Sequence, residues 1–421
     1  MEYRERVVDG LLARHLVDSA VVVLEGPRGA GASRAAGRVA ARTWRLDIDD
    51  YARQFVDMAP HLLLEPGGAP GPVLFDEWQE IPRTLARVLS SVDAAPGQVL
   101  LAGSETPTEA DELLASGAVA RVQIRPMSLW ESGHSTGAVS LAALFAGNDV
   151  DLTAPAPTLD PHQLFERMVV GGWPGLEGLG ETKARRWLRE YLLILVRDDF
   201  PTRGVRRTPD DLRRFLGVLA AGVGTEQKLS AVARDLAAAT STRTPRAETV
   251  AEYLTVLRRL LLLEDVPAWT PQLTSAAALR RTPRRFFVDP SFGLAALGLS
   301  SAALRRNLTA AAQHFEGLVL RDLRTYADPL GGVVHHLRDN NGRTVDFVVV
   351  LPDGSWGGVA VRMNPAGIDD AAKELLWLAG RVDVSVTGQH PAAFMLVVTG
   401  AGLVEVRDDG VLVAPVASLR P

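Results

Sequence analysis

Hydrophobic positions in the first 126 residues come in short runs, separated by stretches with helical spacing. A helical pattern at 3–20 precedes the runs, which lie at 21–25, 42–50, 73–75, 98–104 and 121–126. A short apolar run is typical of a strand buried on both faces of a parallel sheet. Strands that alternate with helices predict an α/β fold with helices on both sides of the sheet. Ligands of such sheets bind at the carboxyl ends of the strands.

The pattern changes after this sheet. Residues 146–162 are rich in Pro, Ala and Asp, as in a linker or an exposed loop. Helical patterns follow at 181–196 and three times within 209–266, and from about residue 297 strands and helices alternate again. We therefore predict a sheet domain at 1–150, a helical linker region at 151–205, a helical domain at 206–296 and a small α/β domain at 297–421.

Composition restricts the classes of protein. The chain has 421 residues, 45.2 kDa, 47% hydrophobic residues and a net charge of −5, so any contact with DNA needs a local basic patch. It has no cysteine, which excludes disulfides and thiolate metal sites and suits a reducing cytosol. No run approaches the about 18 apolar residues that span a membrane, and the start MEYRERVVDG is charged, unlike a signal peptide. We expect a cytoplasmic protein without membrane segments.

The first apolar run leads through a glycine-rich stretch into an alanine-rich helical pattern, which predicts strand, loop and helix. Loops that bind phosphates through N–H groups follow GxxxxGK[ST], where Lys contacts the β- and γ-phosphates and Ser or Thr binds Mg²⁺. Gly26, Gly31 and Ser33 fall at the required positions, but Ala32 replaces the lysine. A simple tight turn is the alternative. The candidate nucleotide-binding residues are Gly26, Pro27, Arg28, Gly29, Ala30, Gly31, Ala32, Ser33 and Arg34.

Polar residues follow two later runs, at the same expected edge of the sheet. Asp76 and Glu77 come directly after the run at 73–75, and Ser104 ends the run at 98–104. In P-loop folds an aspartate at this place helps to hold Mg²⁺, and the next glutamate can orient or polarise the attacking water. Ser104 can sense the γ-phosphate or that water. For each of these residues, capping of a following helix is the alternative role.

Residues 228–266 have the order helix, polar turn, helix and apolar strand, which resembles a winged helix-turn-helix. The turn at 241–246 precedes a candidate recognition helix, Ala247–Arg259. DNA-reading helices carry basic or amide residues near the N-terminus, whereas this one offers Arg246 and then Glu248 and Glu252, so that its outer face is not basic. We therefore favour a structural or protein-contacting role. The basic cluster at 280–285 either contacts phosphates or forms a solvated loop.

The order of motifs resembles that of AAA-type ATPases in which a P-loop domain is fused to a C-terminal region of the DUF4143 type. The loop matches a GPRQVGKT-like motif, and FDEWQ at 75–79 matches an IDEIQ-like motif. AGS at 102–104, Arg121 and PMS at 126–128 follow in the family's order. Further matches are the GGWP turn at 171–174, the helix end at 197–198 and FFVDPSFG at 286–293. The resemblance covers nearly the whole chain and implies ATP and Mg²⁺ as ligands.

The C-terminal part resembles the PD-(D/E)xK nuclease fold, a restriction-endonuclease-like α/β domain. This resemblance implies Glu316 on a first helix, Asp346 before a hairpin, and a Glu-x-Lys pair on the next strand. Nuclease chemistry needs two or three carboxylates for a divalent metal and a lysine that activates water. Ala360 and Arg362 stand at the positions of the Glu-x-Lys pair. We therefore do not expect nuclease activity.

The first hypothesis for function is an ATP-binding protein of the AAA type with weak or impaired hydrolysis. Ser33 and Asp76 would hold Mg²⁺, and Glu77, Ser104 and Arg121 would be the catalytic residues. Arg121 would reach a nucleotide bound to the same chain or to a neighbouring one. The C-terminal half would serve contacts with DNA or with a protein partner.

The missing loop lysine is expected to weaken nucleotide binding. A charge-assisted hydrogen bond is worth roughly 1.5–3 kcal/mol, or about ten- to hundred-fold in affinity, while the loop N–H groups and Ser33 remain. Hydrolysis should suffer more, because the lysine acts where charge develops. Arg28 and Arg34 are the candidates for a substitute charge, and because Arg28 matches an arginine of the family's loop, Arg34 is the less ordinary of the two. The second hypothesis is a pseudo-ATPase, a scaffold or interaction protein without nucleotide chemistry.

Overall fold

The chain forms two compact units. The computed structural model describes residues 3–58, 63–64, 71–83, 89, 95–107, 119–148, 150, 152, 159–240, 245–270, 282–339, 342–382 and 390–421. Unit 1 consists of Met1–Pro126, Trp173–Gly175 and Leu257–Leu262. Unit 2 consists of Met127–Gly172, Leu176–Val256 and Leu263–Pro421. The boundaries of the four regions expected from the sequence stay predictions.

Unit 1 contains the parallel sheet that the apolar runs predicted. Its strands are β1 (Val21–Glu25), β2 (Arg42–Arg45), β3 (Val73–Asp76), β4 (Val99–Gly103) and β5 (Val119–Gln123). They are all parallel and lie in the order β2-β3-β4-β1-β5. The helices described in this unit are α1 (Val7–Asp18), α2 (Ala32–Val39) and α3 (Asp50–Met58). Strand β1 is thus central, and the loop that follows it leaves from the middle of the sheet.

The central strand is buried on both faces. Val21 and Val23 belong to one apolar core together with Phe75, whereas Val22 and Leu24 belong to another. Because successive side chains of a strand point to opposite faces, a strand covered on both sides needs apolar residues at every position. This explains the uninterrupted apolar sequence before the loop.

The second strand is shorter than the sequence predicted. It ends at Arg45 rather than at residue 50. The side chain of Asp49 accepts a hydrogen bond from the backbone N–H of Ala52 at 3.0 Å, and α3 begins at Asp50. Aspartate is a favoured helix-capping residue. The acidic end of this run therefore starts a helix instead of ending a strand.

Unit 2 contains a six-stranded mixed sheet in the order β13-β14-β12-β11-β10-β9. Its strands are β9 (Val333–Arg338), β10 (Thr344–Val350), β11 (Trp356–Arg362), β12 (Ala392–Thr399), β13 (Glu405–Val406) and β14 (Leu412–Pro415). The pairs β11–β12 and β12–β14 are parallel, and the others are antiparallel. Two small pairs complete the strands: β6 (Val139–Ser140) with β15 (Leu419–Arg420), and β7 (Leu263–Val266) with β8 (Arg284–Phe287).

Helices make up most of the rest of unit 2. They are α4 (Leu141–Phe145), α5 (Pro161–Val170), α6 (Glu181–Ile194), α7 (Pro209–Ala221), α8 (Leu229–Thr240), α9 (Ala247–Arg259), α10 (Pro290–Ala296), α11 (Ser301–Leu304), α12 (Leu308–Ala327) and α13 (Ile368–Arg381). The last residues of α9 belong to unit 1. A π-helical turn, Leu195–Asp199, continues α6. Across the described part of the chain, no helix combines the length and apolarity required to cross a membrane.

The middle of the chain has three helices followed by two strands. Helices α7, α8 and α9 precede the antiparallel pair of β7 and β8. Most of the predicted polar turn at 241–246 lies outside the described residues. Glu248 and Glu252 are exposed on α9, so the surface of this helix is acidic there. Assignment as a winged helix stays a prediction.

Helix α12 contributes two charged residues to a buried ionic cluster in unit 2. Arg321 is 2% exposed, and its guanidinium contacts Asp289 at 2.8 Å and Asp322 at 2.7 Å. Asp289 and Asp322 also accept hydrogen bonds from the backbone N–H groups of Gly172 and Leu129. Burial raises the pKa of Asp322, and the neighbouring guanidinium opposes that effect. The cluster thus ties together four segments that are far apart in sequence.

Candidate functional site

The loop between β1 and α2 has the backbone of a phosphate-binding loop. Gly29 and Gly31 have φ values of 89° and 102°, in the left-handed region that favours glycine. The Ala30 N–H donates to the Pro27 carbonyl oxygen at 2.9 Å, which closes a tight turn. Gly31 is the N-cap of α2. The loop therefore lies at the positive end of a helix, where N–H groups favour an anion.

The first glycine is required by close packing. A Cβ atom at Gly26 would lie 2.2 Å from the carbonyl oxygen of Ile124, closer than atoms can approach. The Gly26 N–H donates to Gly103 at 3.2 Å, and the Ile124 N–H donates to Glu25 at 2.8 Å. The start of the loop is therefore fixed between the ends of β4 and β5.

Arg6 supports the loop, although no sequence motif identifies this residue. Its side chain is 6% exposed and donates to the carbonyl oxygen of Ala30 at 3.1 Å and to that of Arg125 at 2.7 Å. A buried guanidinium is stable only with such partners. The signal in the sequence was weak: one arginine just before an amphipathic helix. Arg6 joins the loop to the segment that follows β5.

Asp76 and Ser33 meet at the carboxyl edge of the sheet. Their side chains are hydrogen-bonded, and burial raises the pKa of Asp76 while that bond opposes the rise. Asp76 is 4% exposed, and its Oδ1 is buried without a hydrogen-bond partner among the described residues. Arg45 Nε lies 3.9 Å from the other carboxylate oxygen. A carboxylate and a hydroxyl are oxygen ligands of the kind that Mg²⁺ prefers, so these two residues fit the ion.

Glu77, Ser104 and Gln79 form one hydrogen-bonded group beside Asp76. Ser104 Oγ donates to Glu77 Oε2 at 3.1 Å, and Gln79 Nε2 donates to the same oxygen and to Ser104 Oγ, the latter at 3.3 Å. The sequence placed Glu77 and Ser104 at this edge but assigned no role to Gln79, although Gln79 belongs to the second motif. The group can hold a water or a phosphate oxygen by several polar atoms at once.

Glu77 has a strained backbone. Its φ of 57° and ψ of 44° place a non-glycine residue in the left-handed region. Such residues cost about 1–3 kcal/mol and concentrate at functional sites, where the surrounding structure holds them. In this backbone conformation the Glu77 side chain accepts a hydrogen bond from Ser104.

Arg121 forms an ion pair with a buried carboxylate next to the loop. It is in the middle of β5, and its Nη2 contacts Glu25 Oε2 at 2.6 Å. Thr106 Oγ1 donates to the same oxygen at 3.1 Å. Glu25 is 3% exposed and directly precedes the loop. Arg121 therefore neutralises a buried carboxylate next to the loop, and contact between Arg121 and a nucleotide stays a prediction.

The positive side chains near the loop have different surroundings. Arg28 is exposed in the loop. The guanidinium of Arg34 lies 6.0 Å from the ring centroid of Tyr3, and that of Arg38 lies 4.4 Å from it. Such stacking is a favourable cation–π contact. Arg34, one of the two candidates for a substitute charge, is therefore engaged with an aromatic ring.

Two arginines of unit 2 pair with the carboxylates at the positions of the predicted nuclease-like centre. Arg362 Nη1 contacts Asp346 Oδ2 at 2.8 Å, and its Nη2 contacts Glu374 Oε2 at 2.7 Å. Arg284 forms a close ion pair with Glu316, and its Nη1 lies 3.9 Å from Asp346 Oδ1. The structure thus brings Glu316, Asp346 and Arg362 close to one another, and assignment of a nuclease-like domain stays a prediction. It also adds Arg284, a positive charge between the two carboxylates.

Removal of the Arg284 charge should create a binding site for a divalent ion. We expect Arg284→Ala to acquire an Mn²⁺-dependent rise in Tm, whereas the wild type shows none without nucleotide. In the variant, Glu316 loses its counter-charge and Asp346 keeps only Arg362, so the two carboxylates attract a divalent ion more strongly than in the wild type. Binding at about ten times Kd adds about 1.4 kcal/mol, or a few degrees in thermal unfolding.

Two comparisons test this interpretation of the nuclease-like centre. Arg284→Ala combined with Asp346→Asn should lose the Mn²⁺ effect, because one of the two carboxylates is neutral. An equal Mn²⁺ effect in the wild type would contradict the assignment of Arg284 as the counter-charge. DNA cleavage by the wild type would do so as well.

Comparison with known proteins gives a limited result. The family model that matches is Domain of unknown function (DUF8612), at residues 161–303, and not the DUF4143 type that the motifs predicted. No curated protein matches the sequence.

Several solved structures are similar to this chain at low identity. A Walker-type ATPase of Pyrococcus abyssi is 15% identical with a TM-score of 0.41, over 68% of this chain and 94% of that one. The ORC2 protein of Aeropyrum pernix is 13% identical with a TM-score of 0.26, over 62% and 86%. A STAND ATPase of Pyrococcus horikoshii with a tetratricopeptide repeat sensor is 13% identical with a TM-score of 0.21, over 79% and 50%. Likenesses this weak add nothing to the geometry of the site.

Proposed function

We propose that this protein binds ATP together with Mg²⁺ at the carboxyl edge of the unit 1 sheet, with slow or no hydrolysis. One observation carries the proposal. The hydrogen-bonded pair of Ser33 and Asp76 lies at the same edge as the group formed by Glu77, Gln79 and Ser104. These residues come from three separate stretches of sequence, and a structural role alone does not require their convergence beside a glycine-rich loop.

The chain supplies each part that nucleotide binding needs, except one. The N–H groups of the loop and of the first turn of α2 would bind phosphate oxygens, since they lie at a helix N-terminus. The Ser33 hydroxyl and Asp76 Oδ1 would hold Mg²⁺, which would offset the charge of the phosphates. Ser104 would contact the γ-phosphate, and Glu77 would orient water.

The missing part is the lysine. Ala32 is the first residue of α2, and its methyl group offers neither a charge nor a hydrogen-bond donor. Lysine at this place stabilises the charge that develops on the transferred phosphoryl group. Binding therefore weakens in our proposal, and hydrolysis slows further. A protein of this kind acts as a nucleotide-dependent switch more readily than as a motor.

A second candidate function is a scaffold without nucleotide chemistry. Two observations favour it: Ala32 removes the loop charge, and Arg284 and Arg362 neutralise the carboxylates of the nuclease-like region. The exposed Glu248 and Glu252 on α9 favour a protein partner over DNA. The strained Glu77 favours the first candidate, because a scaffold gains nothing from such strain.

Calorimetry with Asp76→Ala tests the proposal. The wild type should bind ATP with micromolar to sub-millimolar affinity in Mg²⁺ and more weakly in a chelator. Asp76→Ala should weaken binding about tenfold in Mg²⁺ and leave binding in the chelator unchanged, because only the metal contact is lost. Asp18→Ala, at an exposed residue of α1, is the control. No binding by the wild type up to millimolar ATP would refute the proposal.

A further inference from the structure

The segment after β4 contacts the end of a distant helix. Glu105 Oε1 forms an ion pair with Arg259 Nη2 at 2.9 Å, and the Thr106 N–H donates a hydrogen bond to the Arg259 carbonyl oxygen at 2.9 Å. Arg259 is the last residue of α9, and Leu257–Leu262 belongs to unit 1 together with Glu105 and Thr106. One residue of α9 therefore holds two consecutive residues that directly follow Ser104.

The way α9 ends explains the backbone contact. The Leu261 N–H donates to Arg258, and the Leu262 N–H donates to Leu257, both at 2.9 Å. With Leu261 at a φ of 57°, these two bonds form a Schellman motif, in which left-handed backbone terminates the helix. Neither of these bonds uses the carbonyl oxygen of Arg259. Without another donor, that oxygen at the helix end would lack a hydrogen-bond partner. The Thr106 N–H supplies that partner.

The ion pair is shielded from water. The side chain of Glu105 is 10% exposed and that of Arg259 is 27% exposed. Exposed ion pairs contribute little, but loss of one partner from a shielded pair leaves a charge without compensation. Leucine at position 261 also adds strain, because glycine is the usual residue there. A strained helix end and a shielded ion pair together indicate a specific contact.

The three residues from Ser104 to Thr106 contact three different parts of unit 1. Ser104 donates to Glu77 at 3.1 Å, Glu105 pairs with Arg259, and Thr106 Oγ1 donates to Glu25 at 3.1 Å. Glu25 directly precedes the loop. A shift of the segment at Arg259 therefore changes the position of Ser104 relative to Glu77.

We infer that Glu105 and Arg259 are positioning residues that fix Ser104 for recognition of the γ-phosphate. A change at the end of α9 then alters nucleotide binding, and nucleotide binding alters the contacts at the end of α9. The inference rests on the proposed function and names the regulation of that same site. The group that distinguishes ATP from ADP is the γ-phosphate, which Ser104 would contact. Disruption of the pair should therefore reduce the preference for ATP and leave ADP binding intact.

The ratio of the Kd for ADP to the Kd for ATP in Mg²⁺ is the readout. We expect Arg259→Gln and Glu105→Gln each to reduce this ratio about three- to ten-fold, with the Kd for ADP unchanged within about twofold. Ser104→Ala should reduce it similarly, and Ser104→Ala with Arg259→Gln should reduce it no further. Arg259→Lys, which keeps the charge, should restore most of the ratio. Arg213→Gln, which breaks the exposed pair with Asp210, is the control.

Each outcome decides the inference. Equal loss of ATP and ADP affinity in Arg259→Gln would overturn it, because the pair would then be only structural. An unchanged ratio would overturn it as well, and so would additive effects of Ser104→Ala and Arg259→Gln. Thermal unfolding of each variant shows whether it is folded, and if Arg259→Gln unfolds, Glu105→Gln, which breaks the same ion pair, takes its place in the comparison with Arg213→Gln. Absence of nucleotide binding by the wild type would refute the proposed function itself.

Discussion

Replacement of Ala32 by lysine should strengthen ATP binding about ten- to hundred-fold, since one charge-assisted hydrogen bond contributes about 1.5–3 kcal/mol. Ala32 follows the left-handed Gly31 and begins α2, the place where the GxxxxGK[ST] pattern puts its lysine. The rest of the site is already present, because Glu77, Gln79 and Ser104 are hydrogen-bonded to one another. We therefore also expect measurable ATP turnover in this variant.

Calorimetry and a phosphate-release assay measure the two effects. Ala32→Met is the matched control, because methionine has a long unbranched side chain without a charge. The gain should appear with lysine and be absent with methionine. Adding Asp76→Ala to Ala32→Lys should abolish turnover and keep part of the gain in binding. If lysine and methionine gave the same affinity, the loop would not bind phosphates and the scaffold would be the better description.

Replacement of Arg321 by leucine should destabilise unit 2 by about 3–5 kcal/mol, the cost of removing one partner from a buried ionic group. Arg321, Asp289 and Asp322 are all at most 2% exposed. Leucine would leave two buried carboxylates without their positive partner. It would not free the aspartates to leave the core, because the N–H groups of Gly172 and Leu129 also bind them.

Urea unfolding, followed by circular dichroism, measures this loss. Arg306→Leu makes the same substitution at an exposed residue and should change the free energy of unfolding by less than about 0.5 kcal/mol. Asp322→Asn in the Arg321→Leu background should recover part of the loss, since it removes one uncompensated charge and keeps an acceptor for Leu129. A loss below about 1 kcal/mol in Arg321→Leu would mean that the cluster is not a source of stability.

The sheet and its edge could be predicted because they depend on local patterns. The apolar runs gave the five parallel strands, and spacing within the motifs put Ser33, Asp76 and Glu77 at one edge. The spacing of apolar residues and the presence of turn residues determine secondary structure over only a few neighbouring positions of the chain. The predicted end of the second strand was wrong, because the acidic residues at the end of the run at 42–50 are also a helix-capping signal, and Asp49 caps the next helix.

Contacts between distant segments could not be predicted. Arg6 holds Ala30 and Arg125, and Arg259 holds Glu105, but no spacing rule connects these positions. The basic cluster at 280–285 shows the same limit. The solvated loop is wrong for Arg284 and Arg285, since Arg284 pairs with Glu316 and Arg285 is 6% exposed. Residues 280–281 lie outside the described residues, and a phosphate contact stays a prediction. Charge alone does not tell whether an arginine meets solvent or a carboxylate of its own chain.

The division of unit 1 into three separate stretches affects how the protein is made. Residues 1–126 leave the ribosome first, but Trp173–Gly175 and Leu257–Leu262 belong to the same unit. At about 5–20 residues per second, the nascent sheet waits several seconds before Arg259 is synthesised and can pair with Glu105. During that time the segment that follows β4 lacks its contacts with Arg259. Translation past residue 262 thus completes unit 1 only after part of unit 2 has been synthesised.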